Sequence, residues 1–421
     1  MLDRVNRIWR AYPSKFWVVA VTTFIDVIGA TLIFPFFALY ITQRFAVGMT
    51  QAGLLLGTFS MASLLGNMLG GAIADRFGRR RLVLFGLVFS ALSAISMGLV
   101  DNLASFFVLA VIVGLLADMA GPARQAMIAD ILPEEKRTEG FGLLRVVANL
   151  SWIIGPSIGG FVASRSYLLL FILDAIASLL TAAIVFKLLP ETKPPTPQGQ
   201  ARESLAQTFV GYHRVLKDRS YLGFLVVSML MVTVYQQLYS TLSVYLRDVH
   251  DVPTQGYGFL LSMNAVVVVL FQIALTHRIK HLAPMLMMAA GTGLYLVGFS
   301  MFGIFATYAL FIAAMLLITF GEMIVVPVGQ TLAARFAPAE MRGRYMAFYG
   351  LSFTIPQIIG PMAAGLIMDY ADPRWVWYIG GLLCAIAVVG FYTLHIRSGS
   401  RIAAEPVEQV ASNEPRTAMT S

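Results

Sequence analysis

The chain has 421 residues, of which 58% are hydrophobic and 12% charged, and it carries a formal net charge of +8 at pH 7. Water-soluble domains are seldom this apolar, so water is not the main solvent of the chain. The positive charge does not indicate a nucleic-acid partner, because the basic residues lie in alternate loops between apolar segments and form no single patch.

Apolar runs of about twenty residues recur along the chain, and each is long enough to cross a bilayer as a helix. Membrane barrels use alternating strands of about ten residues, so unbroken apolar runs favour helices. The sequence therefore predicts an all-α membrane protein with twelve transmembrane helices. The predicted spans are 15–41, 50–74, 81–99, 104–126, 140–164, 166–188, 221–246, 256–276, 283–303, 306–331, 344–369 and 374–394.

The basic residues are concentrated on one side of these spans. They lie before span 1, after spans 2, 4, 8, 10 and 12, and before span 7, whereas the intervening loops carry few. The positive-inside rule then places both termini in the cytoplasm, as an even number of spans requires. The first apolar stretch is too long for a signal peptide and has no small-residue cleavage site after it. We expect a multi-pass protein of the cell inner membrane, surrounded by lipid.

Span 1 contains an acidic residue, Asp26, followed by Gly29 and Pro35. Thr22, Asp26 and Gly29 share one helical face, as expected for the lining of a water-filled cavity. A charge inside the bilayer is costly, so it needs a cavity, a partner or a function. Asp26 is therefore a candidate proton-coupling residue, with a structural hydrogen bond as the alternative.

The short loop between spans 2 and 3 carries the segment 71–81, GAIADRFGRRR. Its glycines permit close helix approach and a tight turn, while its charged residues can cluster with helix ends. The segment resembles the loop motif of the major facilitator superfamily of transporters. The resemblance implies a conformational latch that steadies the outward-facing state, with arginines that merely set topology as the alternative. The latch residues would be Gly71, Asp75, Arg76, Gly78, Arg79 and, at the inner end of span 4, Asp130.

Span 4 supplies a second candidate for proton coupling, Asp118, on a face with Gly114. Many drug antiporters of the superfamily carry an arginine four residues before the corresponding glycine. This chain has Ala110 there, so Arg124 or Asp118 would have to take the role of that arginine.

Span 5 contains the segment 155–160, GPSIGG, which resembles the antiporter motif of the drug:proton antiporter branch. Gly155, Pro156, Gly159 and Gly160 are therefore predicted to form a hinge or a seal against proton leak. Generic helix packing is the alternative, and Ser151 stands where the family has a further glycine.

The proline-rich linker 189–220 divides the chain into six-helix halves of residues 1–188 and 221–398. Apolar residues at helical spacing within 203–218 predict a cytoplasmic amphipathic helix. Residues 399–421 are predicted to be a disordered cytoplasmic tail.

The two halves are also predicted to be pseudo-symmetric repeats, because one offset of 205 residues aligns identical residues at several places. Two six-helix halves related by parallel repetition, with a site between them near the bilayer midplane, are a transporter architecture. The aligned pairs include Pro122 with Pro327, Gln125 with Gln330, Pro133 with Pro338, Gly155 with Gly360, and Pro156 with Pro361.

Polar and aromatic residues cluster in span 7 at Tyr235, Gln236 and Tyr239. Two tyrosines one turn apart offer flat amphipathic surfaces, and glutamine offers both donors and acceptors, so we predict a substrate site here. Helix packing with interfacial tyrosines is the alternative. Asn149 in span 5 and Gln357 in span 11 are weaker candidates of the same kind.

Two further acids lie within spans. Glu322, in the segment 321–327 of span 10, is a third candidate for proton coupling, and this segment is similar both to drug antiporters and to proton-coupled peptide carriers. Span 1 lacks the acidic, tyrosine-rich motif of the peptide carriers. Asp174 in span 6 is predicted to make an interhelical contact.

An enzyme is not expected. All five histidines lie in loops or at span ends, and no Gly-rich Lys-Ser/Thr phosphate loop is present. No metal or other cofactor is therefore expected, and an ion gradient is the expected energy source. The one cysteine, Cys384, cannot form an intrachain disulfide.

The resemblance and Asp26 together predict a secondary active transporter that works by alternating access. Its expected partners are protons and a small-molecule substrate, and its expected activity is proton-coupled antiport that exports hydrophobic or amphipathic compounds, as in multidrug efflux. Proton-coupled uptake of a sugar or peptide, lipid translocation, and a receptor or scaffold that keeps the fold are the alternatives. The family implies a monomer.

Overall fold

The computed structural model describes residues 12–192, 214–338 and 341–403, and these residues form helices and no strands. Eleven helices are long and apolar enough to cross a bilayer, and one bent pair completes a twelfth span. The predicted all-α class and twelve spans are confirmed. In order, spans 1 to 12 are Ser14–Arg44, Met49–Phe77, Arg79–Leu99, Leu103–Ile131, Arg137–Ala163, Tyr167–Leu188, Arg219–Gln236 with Thr241–His250, Thr254–Ile279, Pro284–Ile304, Tyr308–Phe336, Arg342–Tyr370 and Trp375–Ala403.

Spans 1 and 4 are broken where the sequence predicted single helices, and a proline explains each break. Span 1 changes from Ser14–Ile33 to Phe37–Arg44 through a short 3-10 turn that contains Pro35. Span 4 changes from Leu103–Ala117 to Ala120–Ile131, just before Pro122. A proline has no amide hydrogen and its ring clashes with the carbonyl four residues earlier, which for Pro122 is the carbonyl of Asp118.

Span 7 bends by 44° between Gln236 and Thr241, and no proline lies there. Instead, side chains of span 7 form hydrogen bonds that compete with the helical hydrogen bonds of its backbone. The amide of Gln237 donates to the carbonyl of Thr233 at 2.9 Å, and the Thr241 hydroxyl donates to Gln237 Oε1 at 2.6 Å. Side chains that insert in this way are a recognised cause of helix kinks.

The packing of the helices repeats between the two halves, as the predicted pseudo-symmetry requires. Span 1 packs on spans 5 and 6, and span 7 packs on spans 11 and 12; span 2 packs on span 4, and span 8 on span 10. The breaks also correspond, because the 205-residue offset relates Phe34 to Tyr239.

The two halves meet along two helix pairs, span 2 with span 11 and span 5 with span 8. A Cβ added to Gly53 or Gly57 of span 2 would overlap the backbone of span 11. These two glycines are four residues apart, the spacing that lets two membrane helices approach closely. The sequence held this signal, but it was not among the predicted features.

Hydrogen bonds close the interface on one side, here called the outer side because the charge distribution predicts it to face away from the cytoplasm. Asp369 at the end of span 11 accepts from the amides of Met49 and Thr50 at 2.8 Å each. Arg247 donates to Thr42 at 3.1 Å, and the hydroxyls of Ser157 and Ser262 are 2.7 Å apart. These four hydrogen bonds between the halves lie in the outer part of the spans.

Some predictions fall on residues beyond this description. Most of the predicted amphipathic helix, residues 203–213, lies outside it, as do residues 404–421 of the predicted tail. Span 12 continues to Ala403, so the predicted boundary at 398 falls inside a helix. Extending a helix that has already formed costs little, which explains the longer span. The boundaries of the two halves stay predictions.

Candidate functional site

A cavity of about 380 Å³ lies mainly within the N-terminal half, and spans 7 and 11 complete its wall. Its lining is mostly apolar and aromatic. The aromatic residues on it are Phe34, Phe37, Phe59, Phe171 and Tyr239. A concave apolar site with a few convergent polar groups is the usual form of a small-molecule site.

Two acids, Asp118 and Asp174, line this cavity. Asp118 sits at the break in span 4, immediately after the helix that ends at Ala117. The break turns the chain here, which explains how an acid in an apolar span reaches the cavity. The described lining residues include no lysine, arginine or histidine.

Asp174 of span 6 lies in contact with span 1, the kind of interhelical contact that the sequence predicted. Its carboxylate lies against Gly29 of span 1, where an added Cβ would come within 2.6 Å of Oδ1. The absent side chain of Gly29 leaves room for the acid between spans 1 and 6. Asp174 lines the cavity, and no hydrogen bond or ion pair of its side chain is found among the described residues.

Asp26 lies behind the cavity and not on its lining. It forms an ion pair with Arg124 of span 4, whose Nη1 is 2.7 Å from Asp26 Oδ2. The side chains are 19% and 32% accessible, respectively, so the pair is partly buried. Asp174 is close enough to Asp26 for the two acids to interact electrostatically, and Arg124 also acts electrostatically on Asp118.

Three of the five predicted substrate-binding residues line the cavity: Gln236, Tyr239 and Gln357. Tyr235 lies one turn behind Tyr239, and their hydroxyls are 3.1 Å apart. Asn149 is outside the lining. The bend in span 7 therefore brings the predicted polar-aromatic cluster onto the wall of the cavity.

Trp152 packs against two aromatic residues of the cavity wall, although the sequence did not single it out. Its ring makes edge contacts with Phe34 at 6.3 Å and with Tyr239 at 5.4 Å between centroids. Phe34 also contacts Tyr239, at 6.1 Å. The 205-residue offset relates Trp152 to Gln357, so the repeat held a signal for its position.

Glu322 lies in the C-terminal half, away from the cavity lining. Its Oε2 accepts from the amide of Asn264 in span 8 at 2.9 Å, and the same amide donates to Thr319 at 2.9 Å. The two predicted acids of the halves, Asp26 and Glu322, thus each have a polar partner on a neighbouring helix.

Comparison with known proteins decides the family. The model of the Major Facilitator Superfamily matches residues 19–351 and 257–418. The chain belongs to the Major Facilitator Superfamily. The sequence-based resemblance to this superfamily is therefore confirmed, and the chain is a transporter-family protein and not an enzyme.

Relatives within the superfamily carry different names. The chain is 29% identical to a "Na(+), Li(+), K(+)/H(+) antiporter" of Planococcus maritimus over 79% of the chain and 84% of the relative. It is 23% identical to the multidrug resistance protein MdtH of Shigella flexneri over 90% of the chain and 94% of the relative. Among solved structures, the nucleoside transporter NupG matches with a TM-score of 0.79 and 14% identity, over 90% of the chain and 99% of NupG.

The superfamily loop motif is only partly described. Arg79 pairs with Asp130 and donates to the carbonyl of Ala126 at 3.1 Å. Gly78 has a φ of +99°, which an L side chain rarely adopts, and it begins the turn before span 3. The side chains at Gly71, Asp75 and Arg76 lie outside the described part, and the latch role of this cluster stays a prediction.

The GPSIGG segment packs on both halves of this superfamily member. A Cβ at Gly155 would overlap Thr31, and one at Gly159 would lie 2.7 Å from the carbonyl of Leu32. Gly160 faces the start of span 8, with the Thr254 carbonyl at 2.9 Å from an added Cβ. The span continues as a helix through Pro156. Its position between spans 1 and 8 suits either a seal or a hinge.

Proposed function

We propose that this protein is a proton-coupled antiporter that exports lipophilic organic cations by alternating access. The observation that carries the proposal is the presence of two acids, Asp118 and Asp174, in an aromatic cavity whose described lining has no cationic side chain. An organic cation would gain charge pairing with the acids and contact with aromatic faces in one site.

The same arrangement supplies a reason for exchange. A carboxylate on the cavity wall can hold a proton or face a cation, but a protonated carboxyl group has lost the charge that attracts the cation. Proton and substrate therefore compete for Asp118 and Asp174, and competition at one site is the simplest form of coupling. Asp26 and Glu322 are proposed as further proton sites outside the cavity.

The contacts that close the outer side predict from which side of the membrane the cavity is reached. With the halves joined by Asp369, Arg247 and the Ser157–Ser262 pair, the cavity would load from the cytoplasmic side. Export follows if the outer contacts open while the cytoplasmic side closes. The name of the related multidrug resistance protein supports this direction.

Exchange of inorganic cations is the second candidate, and the name of the Planococcus maritimus relative favours it. The same acids would then bind a hydrated or partly hydrated metal ion. The aromatic wall favours the organic cation, because such an ion gains dispersion contacts there whereas a small inorganic ion needs oxygen ligands on most sides.

The test uses purified protein in vesicles with an acidic lumen, a pH-sensitive dye, and tetraphenylphosphonium, sodium, potassium or a neutral nucleoside added outside. We expect tetraphenylphosphonium to dissipate the gradient in wild type and not in Asp174→Asn or Asp118→Asn. Asp101→Asn is the matched control, since Asp101 is an acid paired with Arg44 at the exposed outer side.

Each alternative has its own outcome. Dissipation by sodium or potassium alone would replace the organic cation with an inorganic one. Dissipation by the nucleoside, with no dependence on Asp174, would favour a neutral substrate. A gradient that no compound discharges would reject antiport.

A further inference from the structure

Two tyrosines of span 7 lie between the cavity and Glu322. Tyr239 lines the cavity, and its hydroxyl is 3.1 Å from the hydroxyl of Tyr235. Tyr235 in turn interacts with the carboxylate of Glu322 in span 10. These side chains form a continuous polar path from the N-terminal half to a buried acid of the C-terminal half.

The other neighbours of Glu322 leave its proton state free to act on Tyr235. Asn264 of span 8 donates to Oε2 at 2.9 Å, and Arg145 of span 5 acts on the carboxylate electrostatically. Tyr295 of span 9 stacks on Tyr235 with ring centroids 5.6 Å apart, and makes no hydrogen bond to Glu322. Tyr235 is therefore the tyrosine that hydrogen-bonds with Glu322, whereas Tyr239 and Tyr295 interact with that carboxylate only electrostatically.

Hydroxyl chemistry makes this path directional. An ionised carboxylate only accepts hydrogen bonds, so Tyr235 must donate to Glu322 and its oxygen then accepts from Tyr239. A protonated Glu322 can donate to Tyr235 instead, and Tyr235 then donates to Tyr239. Neighbouring hydrogen bonds polarise one another, so the reversal changes the electrostatic potential at Tyr239, on the cavity wall.

We propose that Tyr235 and Tyr239 are a hydroxyl relay that ties the protonation state of Glu322 to the affinity of the cavity for cations. The relay rests on the proposed function, in which this cavity binds a lipophilic cation. It makes the tyrosines positioning residues for coupling: ionised Glu322 orients both hydroxyl dipoles so that Tyr239 favours a cation, and a proton on Glu322 removes that preference. The two halves then share one coupling path.

The first experiment needs no ligand. The infrared carboxyl band of Glu322, assigned by its loss in Glu322→Gln, is followed against pH in the purified protein. We expect Tyr239→Phe to move the protonation midpoint to higher pH by about 0.5–1 unit, because Tyr235 becomes a weaker donor without its own donor. Tyr235→Phe should move it at least as far. Tyr295→Phe is the matched control and should not move it.

The second experiment measures tetraphenylphosphonium binding at one pH above and one pH below the Glu322 midpoint found in the first experiment. Above the midpoint we expect Glu322→Gln, Tyr235→Phe and Tyr239→Phe each to weaken binding by roughly 3- to 10-fold, and Tyr295→Phe not to. Glu322→Gln combined with Tyr239→Phe should bind no more weakly than the worse single variant, because both break one path. Below the midpoint the single variants should differ little from wild type.

The outcomes separate the relay from the proposed function. If Tyr239→Phe leaves the protonation midpoint of Glu322 unchanged, the relay is overturned, even if tetraphenylphosphonium binds and exchanges with protons. The relay is also overturned if the fold losses of tetraphenylphosphonium affinity in the two single variants multiply in the double variant. A wild-type protein that binds no tetraphenylphosphonium at either pH overturns the proposed function, and with it the transmission to a cation, while the midpoint shifts still report whether the hydroxyls are linked.

Discussion

Asp26 and Arg124 form an ion pair in a site that already holds a second acid, Asp174. Removing Arg124 would leave two acids near each other in a partly buried site, which is more damaging than removing both members of the pair. We expect Arg124→Gln to lower the melting temperature in detergent, and Asp26→Asn to restore part of the loss. The coupling free energy should be on the order of 1–3 kcal/mol. Additive effects of the two changes would show that the pair contributes nothing.

Gly29 makes room for Asp174, because an added Cβ would come within 2.6 Å of its carboxylate oxygen. We expect Gly29→Ala to displace Asp174 from the cavity wall and to weaken tetraphenylphosphonium binding about tenfold. Gly142→Ala in span 5 is the control, since no atom lies within 4 Å of its added Cβ. Equal binding by both variants would mean that Asp174 adapts or does not contact the cation.

Residue identity alone predicted which groups are costly in a membrane, but not where they point. The cost of a charge in lipid singled out Asp118, Asp174 and Glu322. Whether each acid faces a cavity or a partner depends on the helix breaks and on neighbours from other spans. Asp174 shows the limit, because the space that its carboxylate occupies depends on Gly29, on a helix about 145 residues earlier in the chain.

At the scale of helices, Asp369 joins the C-terminus of span 11 to the N-terminus of span 2. Two amides donate to one carboxylate, at the helix end where negative charge is favourable. Ser60 of span 2 lines the cavity. We expect Asp369→Asn to release the outer side and speed labelling of Ser60→Cys by an impermeant thiol reagent from outside, in a Cys384→Ala background. A loss of about 1–2 kcal/mol corresponds to roughly 5- to 30-fold faster labelling.

Asp372→Asn is the control for this experiment. Asp372 accepts a hydrogen bond from the amide of Arg374 in the following loop. The substitution therefore removes an acid from the same side without changing the contact between spans 2 and 11. Unchanged labelling in Asp369→Asn would show that this contact does not hold the outer side shut.

The helices were predictable because about twenty apolar residues leave few choices in a bilayer. The breaks in spans 1 and 4 were less predictable, because a proline does not always break a helix. Pro35 and Pro122 accompany breaks, whereas Pro156 and Pro327 lie inside continuous helices. A proline weakens a helix, and neighbouring helices decide whether it ends there. The break in span 7 has no proline at all.

At the scale of the molecule, the outer contact between Ser157 and Ser262 offers a direct test of alternating access. Their hydroxyls are 2.7 Å apart across the two halves. We expect the double variant Ser157→Cys and Ser262→Cys, in a Cys384→Ala background, to form a disulfide and lose exchange, with recovery after reduction. Each single cysteine variant should exchange with or without oxidant. Exchange that persists in the cross-linked protein would rule out opening at this point.

The breaks in spans 1 and 7 turn the outer ends of these helices into short lever arms. The outer segments Phe37–Arg44 and Thr241–His250 have 8 and 10 residues, or about 12 and 15 Å at the helical rise of about 1.5 Å. A swing of roughly 20° moves the tip by about 4 Å in span 1 and about 5 Å in span 7, enough to admit water. The arms meet where Arg247 contacts Thr42, so the outer mouth can begin to part while Asp26 and Tyr235, on the inner sides of the breaks, stay in place.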